Sequence, residues 1–362
     1  MGIIRFLLAI AVVFAHTGHE QYMQMVGGKL AVELFYIFSG FYMALILTEK
    51  YVGLKMYKVF ITNRMLKLYP IYWVVALLVI LFSLYIAFDT NWRFWGVLQS
   101  YKLYWSKISV FSFLFLVISN IIVFFQDWIM FMGVNLTSGN FFFTDNFVET
   151  SPRLHSFLLV PQAWTIGLEL TFYLIVPFFA RKNTRWLILI GTASVACKVL
   201  LAATGYNNDP WTYRFFFSEL HLFILGMIAY RVYNRIKHKS FSLRKLQAVL
   251  CLDILLILFC VFLRTYLGDF TDYIYLIVFA CSVPFLFALC KQSKLDSKIG
   301  ELSYPIYISH GLVILLLNYI FKLQSAYEGW GVAIATIALS FLLNHLILYP
   351  IDRYRQKRVK KN

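Results

Sequence analysis

Long apolar stretches recur from one end of this 362-residue sequence to the other, and they limit its fold more than any other feature. A stretch of about 20 apolar residues is long enough for a helix to cross roughly 30 Å of hydrocarbon. Because lipid offers no partner to backbone groups, such a segment satisfies its own by forming a helix. Only 14% of the residues are charged, whereas a soluble domain carries about 25%. The sequence therefore predicts an all-α, polytopic integral membrane helix bundle.

Eleven apolar segments can be distinguished, and charge separates the stretches between them into two groups. The segments lie near 3–18, 28–48, 68–88, 108–126, 162–180, 186–203, 214–231, 248–267, 273–290, 303–322 and 329–350. Lys and Arg concentrate in 49–67, 181–185, 231–245, 291–298 and the tail, whereas 204–213, 268–272 and 323–328 carry none. Positively charged loops of membrane proteins stay in the cytoplasm. Both termini are therefore predicted to be cytoplasmic, with one membrane domain over 1–350 and a basic tail over 351–362.

The net charge of +16 follows from the same loops. Basic residues that sit in short clusters between apolar segments are typical of membrane topology, not of a continuous groove for nucleic acid. The pattern predicts the lipid bilayer as a partner and no nucleic acid. It does not indicate the oligomeric state.

The interval between 67 and 181 is irregular. It holds three apolar segments, although two cytoplasmic ends require an even number of crossings. Either one segment is re-entrant, or Trp128–Phe143, interrupted by Gly133 and Gly139, crosses as a broken extra segment. Irregular backbone at membrane depth is tolerated only where it is buried in protein or lines a wet cavity. We therefore expect about ten transmembrane helices plus one re-entrant or broken segment, with a substrate cavity formed by 89–161.

Arg5 and His16 are the first ionisable residues within an apolar segment. Eleven helical positions correspond to three turns plus about 20°, so both side chains face the same way, about 16 Å apart along the axis. Charged and ionisable residues inside a membrane are costly and therefore candidates for function. The pair is either a snorkelling arginine with a packing histidine, or a cation with a general base.

Three further sites allow both structural and functional interpretations. Glu33 near the start of the second helix is either a carboxylate favoured by the helix dipole or a functional group. Arg64 and Lys67 lie at the predicted start of the third helix, as membrane anchors or as a phosphate clamp. Glu169 lies about two turns inside its helix, where a lone carboxylate needs a partner. Structural pairing and catalysis both fit.

The last site is Ser303-Tyr304-Pro305-Ile306-Tyr307-Ile308-Ser309-His310. Ser303, Tyr307 and His310 share one helical face. A polar face of this kind inside a bundle is expected to point away from lipid. No metal-ligand spacing accompanies these residues, and no metal site is predicted.

Taken in order, these motifs resemble those of the acyltransferase-3 family of membrane acyltransferases. The matching residues are Arg5 and His16; Phe35, Ser39, Gly40 and Phe41; Arg64, Lys67 and Pro70; Trp164, Thr165, Glu169, Phe172 and Tyr173; Ser303, Tyr304, Tyr307 and His310. They extend from residue 5 to residue 310. Lys67 replaces an arginine of the family pattern, so the charge is kept but the bidentate geometry is lost. Many relatives carry an additional SGNH-type esterase domain, and this chain resembles the stand-alone form.

The resemblance implies a membrane O-acyltransferase of the bacterial cytoplasmic (inner) membrane. It would move an acyl group, by default acetyl, from cytoplasmic acyl-CoA to a hydroxyl of a cell-envelope glycan or lipid-linked glycan. Acetyl-CoA would act as co-substrate, and no tightly bound cofactor is expected. Surface polysaccharide, O-antigen, lipid-linked oligosaccharide and small glycosides all remain open as acceptors.

The resemblance also implies roles for the motif residues. The cations Arg5, Arg64 and Lys67 would bind the anionic part of CoA, and His16 would be the general base or a transient acyl carrier. Glu169 or Glu33 would orient His16 or bind the sugar. His310 would pair with a carboxylate or line the donor channel, and Trp164, Ser303 and Tyr307 would line the cavity or contact the acceptor. The alternative prediction is a transporter or flippase of a lipid-linked sugar or small anion, because polar residues inside a bundle with a broken helix also suit transport.

Overall fold

The structure is a computed structural model, and it describes residues 1–17, 24–53, 56–268, 270–322 and 328–360. The helices of these ranges are α1 (Gly2–His16), α2 (Gly28–Glu49), α3 (Met56–Asp89), α4 (Gln99–Tyr104), α5 (Val110–Ile122), α6 (Trp164–Phe179), α7 (Thr184–Ala203), α8 (Phe216–Ile236), α9 (Leu243–Leu267), α10 (Phe270–Cys290), α11 (Lys294–Glu301), α12 (Ser303–Phe321), α13 (Glu328–Leu343) and α14 (Tyr349–Lys360). Two short strands, β1 (Met132–Val134) and β2 (Phe141–Phe143), form an antiparallel hairpin. A π-helical turn at Asn344–Leu348 joins α13 to α14.

The predicted helix bundle is confirmed. Within the described ranges, nine helical segments are long and apolar enough to cross a membrane, and the shorter apolar helices are α1 and α5. Counting α1, the structure agrees with about ten crossings, and the protein is an integral membrane protein. The predicted boundary of the third helix was wrong, since α3 begins at Met56 instead of near residue 68. Arg64 and Lys67 therefore lie inside α3 and not at its start. The apolar pattern placed the start too late because the first turns of the helix are polar.

Helices α2 and α8 pack very closely. A Cβ on Gly40 would lie 1.9 Å from the backbone oxygen of Phe223, and one on Gly226 would lie 1.9 Å from that of Ile37. Only glycine permits backbones to approach so closely, as in other membrane helix pairs. This contact fixes α2, which carries one wall of the candidate site.

Helix α5 is the re-entrant segment. It is 13 residues long, and the backbone NH of Ser109 at its start donates to Gly139 O in the β1–β2 turn at 2.9 Å. At its other end, the Tyr72 hydroxyl of mid-α3 donates to Asn120 O at 2.5 Å, and Tyr69 donates to Ile122 O. The chain therefore enters along α5, turns at the depth of mid-α3 and returns to the side on which it started.

The alternative that Trp128–Phe143 crosses the membrane is wrong. This stretch forms a 3₁₀ turn and the β1–β2 hairpin. Just beyond the hairpin, Asp145 O accepts a hydrogen bond from Trp211 Nε1 at 3.0 Å. Trp211 precedes α8, so the hairpin lies at the same end of the bundle as the loop between α7 and α8. We call this the far end.

The opposite end carries both termini, and we call it the basic end. The amino group of Met1 binds Asp296 at 2.6 Å. The predicted tail is helical as α14 and packs against the start of α3, where the Asn63 amide donates to Arg355 O at 3.4 Å. Residues 361 and 362 of the predicted tail, and the predicted loop 323–328 up to residue 327, lie outside the described residues.

Candidate active site

A cavity of about 440 Å³ enters the bundle from the basic end. This volume falls within the range of ligand pockets, roughly 300–1,000 Å³. Residues of α1, α2, α3, α6, α10, α11 and α12 line it. Six of the predicted site residues are among them, namely Arg5, Arg64, Lys67, Glu169, Ser303 and Tyr307. The prediction that residues 89–161 form the substrate cavity was wrong for this site, since none of them lines it.

Arg5 extends from α1 across the cavity to α12. Its Nη2 donates to Ser303 Oγ at 2.9 Å, and its guanidinium carbon lies 5.8 Å from the centre of the Tyr42 ring. Ser303 Oγ in turn donates to Gly300 O at 2.7 Å, so its position is fixed by the start of α12. Arg5 is thus oriented by a neutral hydroxyl and an aromatic face, and its charge remains available to a ligand.

Arg64 and Lys67 project from α3 into the same cavity. They are three positions apart, so they lie on the same side of the helix. The Arg64 Nε is buried without a hydrogen-bond partner, and its guanidinium carbon lies 6.0 Å from the Phe60 ring. Among the residues that the structure describes, neither side chain forms an ion pair within 4.0 Å, and the same is true of Arg5. Three cations that share a cavity and form no direct ion pair suit a polyanionic ligand such as a phosphate group.

Glu169 stands on the opposite wall of the cavity, on α6. It accepts a hydrogen bond from the Tyr173 hydroxyl at 2.9 Å, and that hydroxyl lies 3.2 Å from Ser39 Oγ on α2. Tyr173 and Ser39 are buried. The hydrogen-bond partner of this carboxylate is therefore a tyrosine, not an arginine or a histidine. Glu169 also lines the same cavity as the three cations.

Tyr307 closes the inner part of the cavity. Its hydroxyl donates to Gln162 O at 3.1 Å and accepts from Thr165 Oγ1 at 2.9 Å, so α12 is tied to the start of α6. Its ring lies 6.3 Å from that of Phe35 on the cavity side and 6.1 Å from that of His310 on the other. Tyr307 therefore separates the cavity from the predicted catalytic histidine.

His16 and His310 form a pair behind this wall. Their ring centres are 4.8 Å apart; His310 is 1% exposed, whereas His16 is exposed. The Nδ1 of His16 lies 2.8 Å from Val12 O, and the Nδ1 of His310 lies 2.7 Å from Tyr307 O. Because a carbonyl oxygen can only accept, both Nδ1 atoms carry the proton, and in the neutral rings both Nε2 atoms keep a lone pair. His16 is thereby held in the tautomer that a base or nucleophile at Nε2 requires.

Glu33 lies apart from the histidine pair. It is 3% exposed, and its carboxylate is 3.9 Å from Lys198 Nζ on α7. The same ammonium binds Glu219 on α8 at 2.7 Å. Two buried carboxylates thus share one lysine between α2, α7 and α8. The dipole interpretation of Glu33 missed this cluster, because the positions of Lys198 and Glu219 relative to Glu33 follow only from the packing of three helices.

Trp164 also lies outside the cavity lining. The guanidinium carbon of Arg214 stacks 4.2 Å from the centre of its ring, and Arg214 is held by Asp209 at 2.6 Å. The neighbouring Tyr213 ring lies 5.1 Å away. Trp164 anchors the start of α6 at the far end, and through α6 it positions Thr165 and Glu169.

Ser39 and Tyr173 are the cavity residues whose role the sequence did not indicate. Both belong to motifs noted above, but no role was predicted for either. The signal that could have revealed them is spacing. Tyr173 lies four positions after Glu169, which places its hydroxyl within reach of the carboxylate on one helix face.

The fold and site define a class: an integral membrane helix bundle with a cationic cavity at one end and a histidine pair deeper in the bundle. The chain matches the family described as an acyltransferase domain, acyltransferase-3, over residues 1–345. It belongs to that family, as its motifs predicted, and the match covers essentially the whole chain. An uncharacterized protein of Aquifex aeolicus (strain VF5) is 20% identical over 205 residues, which is 56% of this chain and 88% of that protein. No solved structure matches the chain.

Proposed function

We propose that the protein transfers an acyl group, by default acetyl, from acyl-CoA to a hydroxyl of a cell-envelope or surface glycan. Membership of the family supports membrane acyltransferase activity in general. The donor, the acceptor and the role of His16 are proposals. The basic end would face the cytoplasm of a bacterium, where acyl-CoA is available, and the bundle would lie in the cytoplasmic membrane.

One observation carries this proposal: α1 holds a cation of the cavity and an oriented histidine on the same face. Arg5 contacts Ser303 of α12, and His16 contacts His310 of the same helix. Eleven helical residues separate the two by about 16 Å. A thioester at the end of an extended arm could span this distance from an anionic group bound among the cations.

Donor binding would use charge and shape. Arg5, Arg64 and Lys67 would contact the phosphates of CoA, since charge-assisted hydrogen bonds to phosphate are strong and the arginine fork matches its oxygens. The acyl end would point inward toward Tyr307. Because Tyr307 stands between the cavity and His310, its side chain would have to turn aside, or its hydroxyl would have to contact the thioester, for the acyl group to reach His16.

His16 would then act through Nε2. As a general base it removes the proton of the acceptor hydroxyl, whose oxygen attacks the thioester carbonyl. The new C–O ester bond forms, the C–S bond breaks, and the proton passes from His16 to the departing thiolate. As a carrier, Nε2 itself attacks the thioester carbonyl, the C–S bond breaks and CoA leaves as its thiolate. The acceptor hydroxyl then attacks the acyl group, the C–N bond breaks, and the hydroxyl proton ends on the thiolate. His310 would support His16 from behind, and Glu169 would contact either the donor or the sugar.

The experiment uses purified protein in lipid nanodiscs with labelled acetyl-CoA and envelope glycan from the host. Wild-type protein is compared with His16→Ala and, as a matched control, with His238→Ala at an exposed position beyond α8. We expect labelled glycan with the wild type and with the control, and none with His16→Ala. Rapid removal of free donor in neutral buffer before acceptor is added distinguishes the two mechanisms, since only a carrier retains label on the protein.

Two results would contradict the proposal. Full acetylation by His16→Ala would exclude His16 from the chemistry. Movement of a glycan lipid across the membrane without acylation, in wild type and His16→Ala alike, would instead support the transporter or flippase that the sequence also allows.

A further inference from the structure

A second cavity lies at the far end, on the lipid-facing side of the re-entrant segment. Its volume is about 860 Å³, and α3, α4, α5 and the turns beside α4 line it. We call it the lateral groove and define it by Trp73 and Leu77 of α3, Tyr101 of α4, Trp105 after α4, and Val117 and Ile121 of α5. It lies between α3 and α5, and one end of it is where Trp73 Nε1 of α3 donates to Ile121 O of α5 at 2.9 Å.

The interior of the groove is suited to hydrocarbon. Its walls are almost entirely apolar, and Leu77, Trp105 and Ile121 are each more than half exposed. The one amide in the lining, Asn120, is already occupied, because its Nδ2 donates to Phe157 O at 3.0 Å and its Oδ1 accepts from Leu159 N at 2.8 Å. Apart from Lys102, the free polar atom in the lining is Trp95 Nε1, which is buried without a hydrogen-bond partner. In a bilayer, such a space is filled by lipid chains.

The rim of the groove, unlike its apolar interior, carries positively charged side chains. Lys102 donates to Trp92 O at 2.5 Å and to Arg93 O at 2.9 Å at the end of α3, and both Arg93 and Lys107 are exposed. Residues 90–126 contain these three cations and no Asp or Glu. Among the described residues, none of the three cations takes part in an ion pair within 4.0 Å.

The level of the rim in the membrane can be inferred from its tryptophans. Trp92, Trp95 and Trp105 cluster beside Lys102, with the Lys102 ammonium 5.8 Å from the Trp95 ring. Tryptophan is enriched where hydrocarbon meets headgroups, and Lys and Arg are depleted on the side opposite to the basic loops. Cations at headgroup level on that side therefore need an explanation other than topology, and an anionic headgroup supplies one.

We propose that the lateral groove binds an anionic phospholipid of the leaflet at the far end. One acyl chain would lie between α3 and α5, and the phosphate would contact Arg93 and Lys102, with Lys107 nearby. This site is separate from the cationic cavity and does not depend on the proposed acyl transfer.

The test uses the purified protein with photoactivatable phosphatidylglycerol or phosphatidylcholine that carry the same diazirine acyl chain. Labelled peptides are identified by mass spectrometry. We expect labelling of the peptides that line the groove, at least threefold stronger with phosphatidylglycerol, and displacement by unlabelled phosphatidylglycerol. The double variant Arg93→Gln/Lys102→Gln should label equally with both lipids, because it loses headgroup attraction and keeps the chain site.

Val117→Trp fills the groove and should lower labelling by both lipids, whereas the control Val195→Trp on the lipid-facing side of α7 should not. Leu77→Trp, at an exposed position of the groove wall, repeats the test if Val117→Trp fails to fold. Equal labelling by the two lipids in the wild type would overturn the proposal, and so would groove labelling that neither filling variant reduces. Displacement of the probe by a polyprenyl phosphate, but not by phosphatidylglycerol, would assign the groove to the anchor of a lipid-linked acceptor and also overturn it.

Discussion

The cationic cavity and the histidine pair are built on the same two helices, α1 and α12, but they differ in their chemistry. In the cavity, Arg5 contacts Ser303, and two more cations stand nearby with no ion pair within 4.0 Å among the described residues. In the histidine pair, His16 contacts His310, and backbone carbonyls fix both rings. Under the proposed function, the cavity would bind the negative charge of the donor, and the histidine pair would exchange a proton or form a bond at a defined nitrogen. Binding and chemistry can therefore be disturbed separately.

Among the variants, His16→Ala is expected to show the largest difference between its effect on acyl transfer and its effect on donor binding. Acyl transfer should fall by about 10²–10⁴-fold, the typical contribution of a positioned acid–base group. Affinity for acetyl-CoA should stay within about twofold of wild type, because His16 lies outside the cavity lining and about 16 Å from Arg5 along α1. Labelled-donor binding and transfer are measured on the same preparation, with His238→Ala as the control. A parallel loss of binding would show that the two regions are not separable.

Arg64→Gln should weaken donor binding and leave the chemical step unchanged. Hydrogen bonds to charged groups contribute about 1.5–3 kcal/mol, so the dissociation constant of acetyl-CoA should rise by roughly 10–100-fold. At saturating donor, transfer should approach the wild-type rate, since the histidine pair is untouched. Arg235→Gln, at an exposed position on α8, is the matched control. A lower maximal rate with unchanged affinity would place Arg64 in the chemistry instead of in donor binding.

Whether the sequence predicts a contact in these two regions depends on how far apart the contacting residues lie along the chain. Arg5 with His16, and Ser303 with His310, are close in sequence on single helices, so helical periodicity alone predicts their shared faces. The sequence did not predict that α1 meets α12, because that contact joins the two ends of the chain; His310 was expected to pair with a carboxylate or to line the donor channel. Similarly, Lys198 beside Glu33 depends on three helices whose relative rotation no local pattern records.

The middle of the chain shows the same limit. Charge parity located an irregular crossing between residues 67 and 181, and the structure identifies α5 as the re-entrant segment. The sequence did not predict that Tyr72 would cap the carbonyl of Asn120, because that hydrogen bond joins residues 48 positions apart. The substrate cavity was expected in 89–161 because irregular backbone at membrane depth can line a wet cavity. The structure shows the lateral groove beside this segment instead.

His310→Gln should have a smaller effect, which sharpens the role of the pair. Glutamine fills part of the space of the imidazole but cannot support the His16 ring in the same way, and a shift of His16 by a fraction of an ångström should lower the transfer rate roughly tenfold. Donor affinity should not change. The pH dependence of transfer is measured alongside, because a residue that only packs would lower the rate equally at every pH, whereas a partner of His16 would shift the profile.

The smallest effect is expected from Lys67→Arg, which restores the arginine of the family pattern. A guanidinium can bind two phosphate oxygens at once where the ammonium acts as a point charge, so the affinity for acetyl-CoA should rise by about two- to threefold. The maximal rate should stay the same, since the histidine pair is separate. Lys58→Arg, an exposed position on the same helix, is the control. If Lys67→Arg instead altered the rate at saturating donor and left affinity unchanged, the cavity and the histidine pair would be coupled, and the division of tasks between the two ends of α1 would be wrong.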